Sequence, residues 1–283
     1  MRSLLDLVGS RAFLITLLRR FLEVLGVLWL CLEPVSFLAS GAIPKGWATY
    51  LMLVVTSFAI GLCLSWPRGH VSASVPGEDV EVTVKVGDIF DAQDNVVIGT
   101  NDVFDTEIGD VISSKSVQGQ FLTKRFGGNA TELDNVLSQA LEHKSAEEDK
   151  TKTRGKNRRY SVGTTVVVPA QGVRNYLCAY CRMRPDLKAE STVCELIVSL
   201  EECWELIRNT GQNEGVSMPV LGSEFARLGL TQTRLIQIIV LSFLAANRNR
   251  PVAPSLTIYV YPGKARSVDF SALRMWLRGV LWA

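Results

Sequence analysis

Trp47 to Trp66 reads WATYLMLVVTSFAIGLCLSW and contains no charged residue. As a helix rising 1.5 Å per residue it is about 30 Å long, the hydrocarbon thickness of a bilayer, with a tryptophan for each interface. A second apolar run, Phe21 to Ala42, precedes it but carries Glu23 near one end and Glu33-Pro34 near the middle. The linker Ile43-Pro44-Lys45-Gly46 is short enough that the two runs predict a helical hairpin over residues 21–68. Residues 3–18, within the segment 1–20, predict an amphipathic helix on the membrane surface. Arg11, Arg19 and Arg20 precede the first span and Arg68 follows the second, which puts both ends in the cytoplasm. A signal peptide cleaved near Leu38-Ala39-Ser40-Gly41 competes, but Glu33 and the second span count against it. A carboxylate at mid-membrane needs a partner. Counting inward from the turn makes Thr56, or Ser57 beside it, the nearest polar group to Glu33.

Beyond Arg68 the chain turns polar, and residues 69–79 read as a linker. Short β-rich runs then predict strands near 81–86, 95–100, 161–169, 176–183, 215–221 and 255–262. Helical patterns fall near 115–126, 131–143, 190–209, 231–247 and 268–281. The helix over 190–209 places Val193, Leu196, Ile197, Leu200, Trp204 and Ile207 on one stripe. This alternation predicts a three-layer α/β domain over residues 80–283. Between its elements, His143 to Arg159 is dense in both charge signs and reads as a solvated loop, with a headgroup or partner contact as the alternative.

Charge and chemistry narrow this further. Lys+Arg 30 against Asp+Glu 28 gives a net charge of +2, unlike a domain built to wrap nucleic acid. The two histidines, His70 and His143, form no HExxH motif, so no metal site is expected. Cys178 and Cys181 make a CxxC within a predicted strand, where i and i+3 point to opposite faces; buried thiols are the expectation.

Candidate ligand chemistry gathers at strand ends. Val86-Gly87-Asp88-Ile89 closes one strand and Ile98-Gly99-Thr100-Asn101-Asp102 the next. Ser217 to Ser223 closes a third, followed by Glu224-Phe225-Ala226-Arg227-Leu228-Gly229. Ligands of open α/β sheets bind outside the carboxyl ends of strands, and small-residue turns before helices present N–H groups to phosphates.

In VKVGDI, VVIGTND and MPVLGSEFARLG the sequence resembles macro domains, the ADP-ribose-binding modules, from about Val80 onward. That resemblance implies a mixed sheet between helical layers. It implies that Asp88 takes the adenine amino group beside Ile89, and that Asn101, flanked by Thr100 and Asp102, takes the distal ribose. It gives the diphosphate to Leu221, Gly222, Ser223, Glu224, Phe225, Ala226 and Arg227, and sets Tyr261 beside the adenine, with Tyr259 competing.

A membrane hairpin followed by NDVFDT and VISSKSVQGQF is similar to the effector family of the type II Thoeris anti-phage system. In that family a TIR-domain, NAD-consuming partner makes histidine–ADP-ribose. The effector binds this signal, forms a homo-oligomer and damages the bacterial inner membrane, and the cell dies. No cofactor and no catalytic residue are implied. Hydrolytic macro relatives carry an acid after the diphosphate loop, where Ala226 stands here. Asp102, Asp105 and Glu107 leave a water-positioning role open, so a membrane-tethered ADP-ribosyl hydrolase is one alternative and a non-killing ADP-ribose reader another.

Overall fold

The computed structural model describes residues 11–38, 46–65, 69–77, 79–222 and 228–281. It divides into two compact units, residues 1–69 and 70–283.

The first unit holds two helices, α1 (Arg11–Leu38) and α2 (Trp47–Ser65), both long and apolar enough to cross a membrane. The Phe21 ring meets Phe58 (6.2 Å between centroids) and Trp29 stacks on Tyr50 (6.2 Å), so the helices run antiparallel. Close approach is set by α2's small residues. Ser57, Gly61 and Ser65 recur every fourth position on its buried face, and a Cβ on Gly61 would stand 3.1 Å from Phe21 Cα. Ser57 donates to the Leu53 carbonyl (2.7 Å), as a hydroxyl in an apolar span must. Leu30, Phe37, Trp47 and Met52 point outward, a surface suited to lipid and not to water.

Three expectations for this unit change. α1 runs unbroken from Arg11 through Pro34, so residues 11–20 begin the same helix; residues 3–10 lie outside the described residues. Glu33 is not partnered by Thr56, which is exposed; it accepts a hydrogen bond from Trp29 Nε1 (3.2 Å), one turn back on its own helix. The pairings of Phe21 with Phe58 and Trp29 with Tyr50 place Glu33 level with the start of α2, beside Trp47, rather than with its middle. Counting from the turn failed because α1 extends past the first residue of α2.

The second unit is built on an eight-stranded sheet. Its strands are β1 (His70–Ser74), β2 (Glu81–Val86), β3 (Asn95–Asn101), β6 (Thr165–Ala170), β7 (Val173–Met183), β8 (Ala189–Glu190), β9 (Val216–Pro219) and β10 (Ser255–Val260). The order is β1-β2-β10-β9-β3-β7-β6, with β8 beside β7. The five central strands are parallel, and β1 and β6 close the edges antiparallel. The helices are α3 (Val117–Phe126), α4 (Ala130–Ala140), α5 (Val193–Thr210), α6 (Gln232–Asn249) and α7 (Phe270–Leu281).

Strand alternation sorts the core into two layers. Val97, Tyr176 and Cys178 pack with Leu196, Trp204, Ile239 and Leu273 of α5, α6 and α7. Val96, Ile98, Leu177 and Ala179 pack with Phe121, Phe126, Leu133 and Leu137 of α3 and α4. The three-layer α/β architecture is therefore as expected. Within α5 the buried stripe includes Ser199 and Cys203, while Ile197 points outward. The fully buried Trp204 packs edge-on against Phe243 (5.5 Å) and donates from Nε1 to Ser242 Oγ (2.9 Å).

Two segments that read as unstructured are ordered. Residues 70–74 form β1, paired residue for residue with β2 from His70↔Lys85 to Ser74↔Glu81, with Val71 buried. One apolar anchor among serines gave too little pattern for a strand. Within 143–159 and just beyond, β4 (Ala146–Glu148) and β5 (Arg158–Tyr160) form a short antiparallel hairpin. The CxxC thiols are both buried and separately engaged, Cys178 donating to Ser199 O (3.3 Å) and Cys181 to Thr100 O (3.5 Å).

α5 starts with a reciprocal cap: Thr192 Oγ1 accepts from Glu195 N (3.1 Å) and Glu195 Oε2 accepts from Thr192 N (2.9 Å). Thr192→Ala is expected to lower stability by about 1 kcal/mol, read as a drop in thermal midpoint with the fold unchanged.

Candidate functional site

A cleft of about 790 Å³ opens at the carboxyl ends of the parallel strands. Gly99, Thr100 and Asn101 of β3, Tyr180 and Cys181 of β7, and Pro219 to Gly222 after β9 form one side of its wall. Tyr259 and Tyr261 follow from β10 and the residue after it, and Ser113 to Gln118 from the entry to α3. The tip after β7 adds Leu187 and Lys188.

Two glycines are required here for different reasons. A Cβ on Gly99 would stand 2.6 Å from the Tyr180 ring and 2.7 Å from Leu221 Cδ2, so only glycine lets both side chains cross β3. Gly222 has φ +78°, in the left-handed region, and a Cβ there would overlap Leu228 Cδ1. It is a buried residue that lines the cleft. Ser223 to Arg227, expected to continue this loop, lie outside the described residues.

Asn101 ends β3 and turns its amide onto the following residues. Oδ1 accepts from Val103 N (3.3 Å) and Asp105 N (3.1 Å), and Nδ2 donates to Asp105 Oδ2 (3.1 Å). The turn holds Phe104 at φ +51°, a strained value for a bulky residue, fixed by burial of its ring against Tyr160 (5.6 Å). Next to it, Thr100 Oγ1 is buried without a hydrogen-bond partner among the described residues.

The charged segment, expected to be solvated, locks this turn from behind. Lys152 is fully buried: its ammonium donates to Asp105 Oδ1 (3.1 Å) and to the carbonyls of Arg154 and Lys156 (both 2.7 Å). Three donors therefore meet three acceptors. Asp105 Oδ1 also accepts from Lys156 N (2.7 Å), and Asp105 O accepts from Gln118 Nε2 (2.7 Å), which ties the turn to α3. Arg159 joins Asp102, Asp149 (2.6 Å) and the Met183 carbonyl (2.8 Å).

Asp102 is accordingly not a cleft residue. Its buried carboxylate accepts from Met183 N (2.9 Å) and from Arg159, and burial pushes its pKa up. Asp149, more exposed, is held below the usual carboxylate range by hydrogen bonds from Thr151 and Arg159. Burial also pushes the Cys181 thiol far up, away from thiolate chemistry.

Of the sequence-derived residues, the cleft brings together Thr100, Asn101, Leu221, Gly222 and Tyr261. Asp88 caps the turn after β2, accepting from Phe90 N (3.0 Å) and pairing with Lys124. Ile89 packs below it among Ile98, Phe121 and Tyr259. Neither lines the cleft; Ile89 shares a buried cluster with Tyr259, which does. Sequence reasoning missed Tyr180 of β7, Leu187 and Lys188, whose place comes from a tight turn after β7, and Lys152, whose burial no local pattern signals.

Comparison with known proteins agrees with this architecture. Residues 82–261, more than half of the chain, match the family model of the Thoeris protein ThsA, Macro domain. A Thoeris protein ThsA of Bacillus amyloliquefaciens (strain Y2) is 24% identical over 234 residues, covering 79% of this chain and 75% of that protein. An Oceanobacillus iheyensis macrodomain solved with ADP aligns with a TM-score of 0.48 at 11% identity, over 75% of this chain and 96% of that one. The same macrodomain with MES bound gives 0.46 at 11% identity, over 75% and 97%. With the family model matched from β2 to the residue after β10, the chain belongs to the Thoeris ThsA family, and the cleft at its strand ends is that of a macro domain.

Proposed function

We propose that this chain is a membrane effector of bacterial anti-phage defence whose macro domain binds an ADP-ribose-derived signal, histidine–ADP-ribose, made by a TIR-domain partner. Binding drives homo-oligomerisation, and the hairpin then disrupts the inner membrane from a cytoplasmic domain. The observation that carries this reading is the cleft: its Gly222 backbone, Ser113–Gln118 wall and tyrosine side suit a diphosphate, a ribose and an adenine in turn. Asn101 keeps one amide hydrogen for the distal ribose, since Asp105 takes only the other.

A signal acts only through differential affinity. If it binds the assembled arrangement roughly 100-fold more tightly, it shifts that equilibrium by about 2.7 kcal/mol per site. A non-enzymatic site is supported by the state of its carboxylates. Asp102 and Asp105 are buried and saturated by Arg159 and Lys152, and Glu107 is exposed and does not line the cleft. None is placed to position a water against a ribose.

Titration of the full chain with ADP-ribose in a calorimeter tests the site. Asp88→Ala is expected to weaken binding by about 1.5–3 kcal/mol through the lost charged acceptor. Equal affinity would remove Asp88 from the adenine end. Leakage of vesicles holding the full chain, with and without histidine–ADP-ribose, tests the effector reading; product release from ADP-ribosylated substrate would favour the hydrolase.

A further inference from the structure

α7 buries Leu273 and Leu277 in the same cluster as Val71 of β1, so it covers the edge strand that follows the hairpin. Its opposite side is unusual. Met275 is 69% exposed, and Arg278 is exposed one turn on. Arg274 and Arg278 form no hydrogen bond or ion pair among the described residues. They stand at i,i+4, where like charges repel. Neither α7 nor β1 carries a carboxylate. Asp269, just before α7, is spent capping the helix at Ser271 N (3.0 Å) and Ala272 N (2.9 Å).

Chain length adds an independent constraint. Only residues 66–69 separate the end of α2 from β1, a reach of at most about 18 Å. With α2 in a bilayer, the first residue of β1 therefore lies within about 18 Å of that helix's end, and α7 packs on β1.

The geometry points to α7 as a surface that docks on anionic lipid, Arg274 and Arg278 meeting headgroup phosphates while Met275 enters the interface. The inference rests on insertion of the hairpin and is separate from ligand binding in the cleft. Its role would be to hold the macro domain against the membrane before any signal arrives.

Hydrogen exchange on the full chain reconstituted in vesicles tests it. Amides of α7 are expected to exchange roughly 10-fold more slowly in phosphatidylcholine–phosphatidylglycerol vesicles than in phosphatidylcholine alone. Salt at about 1 M, where the Debye length is about 3 Å, is expected to abolish the difference. A variant carrying Arg274→Gln and Arg278→Gln, both good helix formers, is expected to lose it while α5 exchanges as before. Equal protection in both lipids, with the chain co-floating with the vesicles, would overturn the docking surface alone. Failure to co-float would overturn hairpin insertion and the docking surface together.

Discussion

Asp105→Ala is expected to destabilise the macro domain by about 3–5 kcal/mol, the cost of leaving a buried ion without its partner. Lys152 would keep the Arg154 and Lys156 carbonyls but no counter-charge, at a position where its side chain has no exposed surface. The same substitution frees Asn101 Nδ2 and Lys156 N, so the turn holding Phe104 at positive φ loses its lock as well. Lys152→Met is expected to cost less, because Asn101 and Lys156 N still hold the Asp105 carboxylate. Denaturant unfolding of the two variants gives the comparison. A loss below about 1 kcal/mol for Asp105→Ala would mean that the pair is not desolvated in solution.

Gly222→Glu is expected to reduce affinity for ADP-ribose more than 100-fold, to below detection by calorimetry. Three effects act together. The backbone is at φ +78°, where an L-residue is strained by about 1–3 kcal/mol. A Cβ overlaps Leu228 on the core side of the turn, and a carboxylate forced in there displaces the turn and adds negative charge next to the space proposed for a diphosphate. Gly222→Ala separates them, since it keeps the strain and the overlap but adds no charge. Binding by the glutamate variant at the original strength would show that the diphosphate lies elsewhere in the cleft.

The fold was legible where side-chain periodicity is strong. β3 and β7 carry near-continuous apolar runs, β2 alternates, and α5 carries a stripe at helical spacing, so their existence and type follow from pattern. The mixed sheet, the macro fold and the ThsA family likewise agree with what the strand-end motifs implied. Elements held by few or polar contacts were not legible. β1 rests on Val71 and on backbone pairing with β2, neither of which a serine-rich segment advertises. The segment 143–159 looked solvated because charge predicts exposure for each residue alone, whereas Lys152 is buried and Arg159 half-buried by partners more than forty residues away, Asp105 and Asp102. In the hairpin, composition located both helices, but the level of Glu33 depends on how far α1 extends past α2, which only packing reveals.

The antiparallel placement of β1 has a mechanical consequence. Because β1 runs against the parallel strands, its first residue, His70, pairs with Lys85 at the carboxyl end of β2. The chain leaving the membrane segment therefore joins the sheet at the end that carries the cleft, and the next residues of β2's own path are Val86, Gly87 and Asp88. A pull on residues 66–69 would load first the end of the β1–β2 ladder, where His70 stands opposite Lys85. Lys85 is paired with His70 on one side and with Tyr259, which lines the cleft, on the other, so a single strand lies between the point where the chain enters the sheet and the cleft wall.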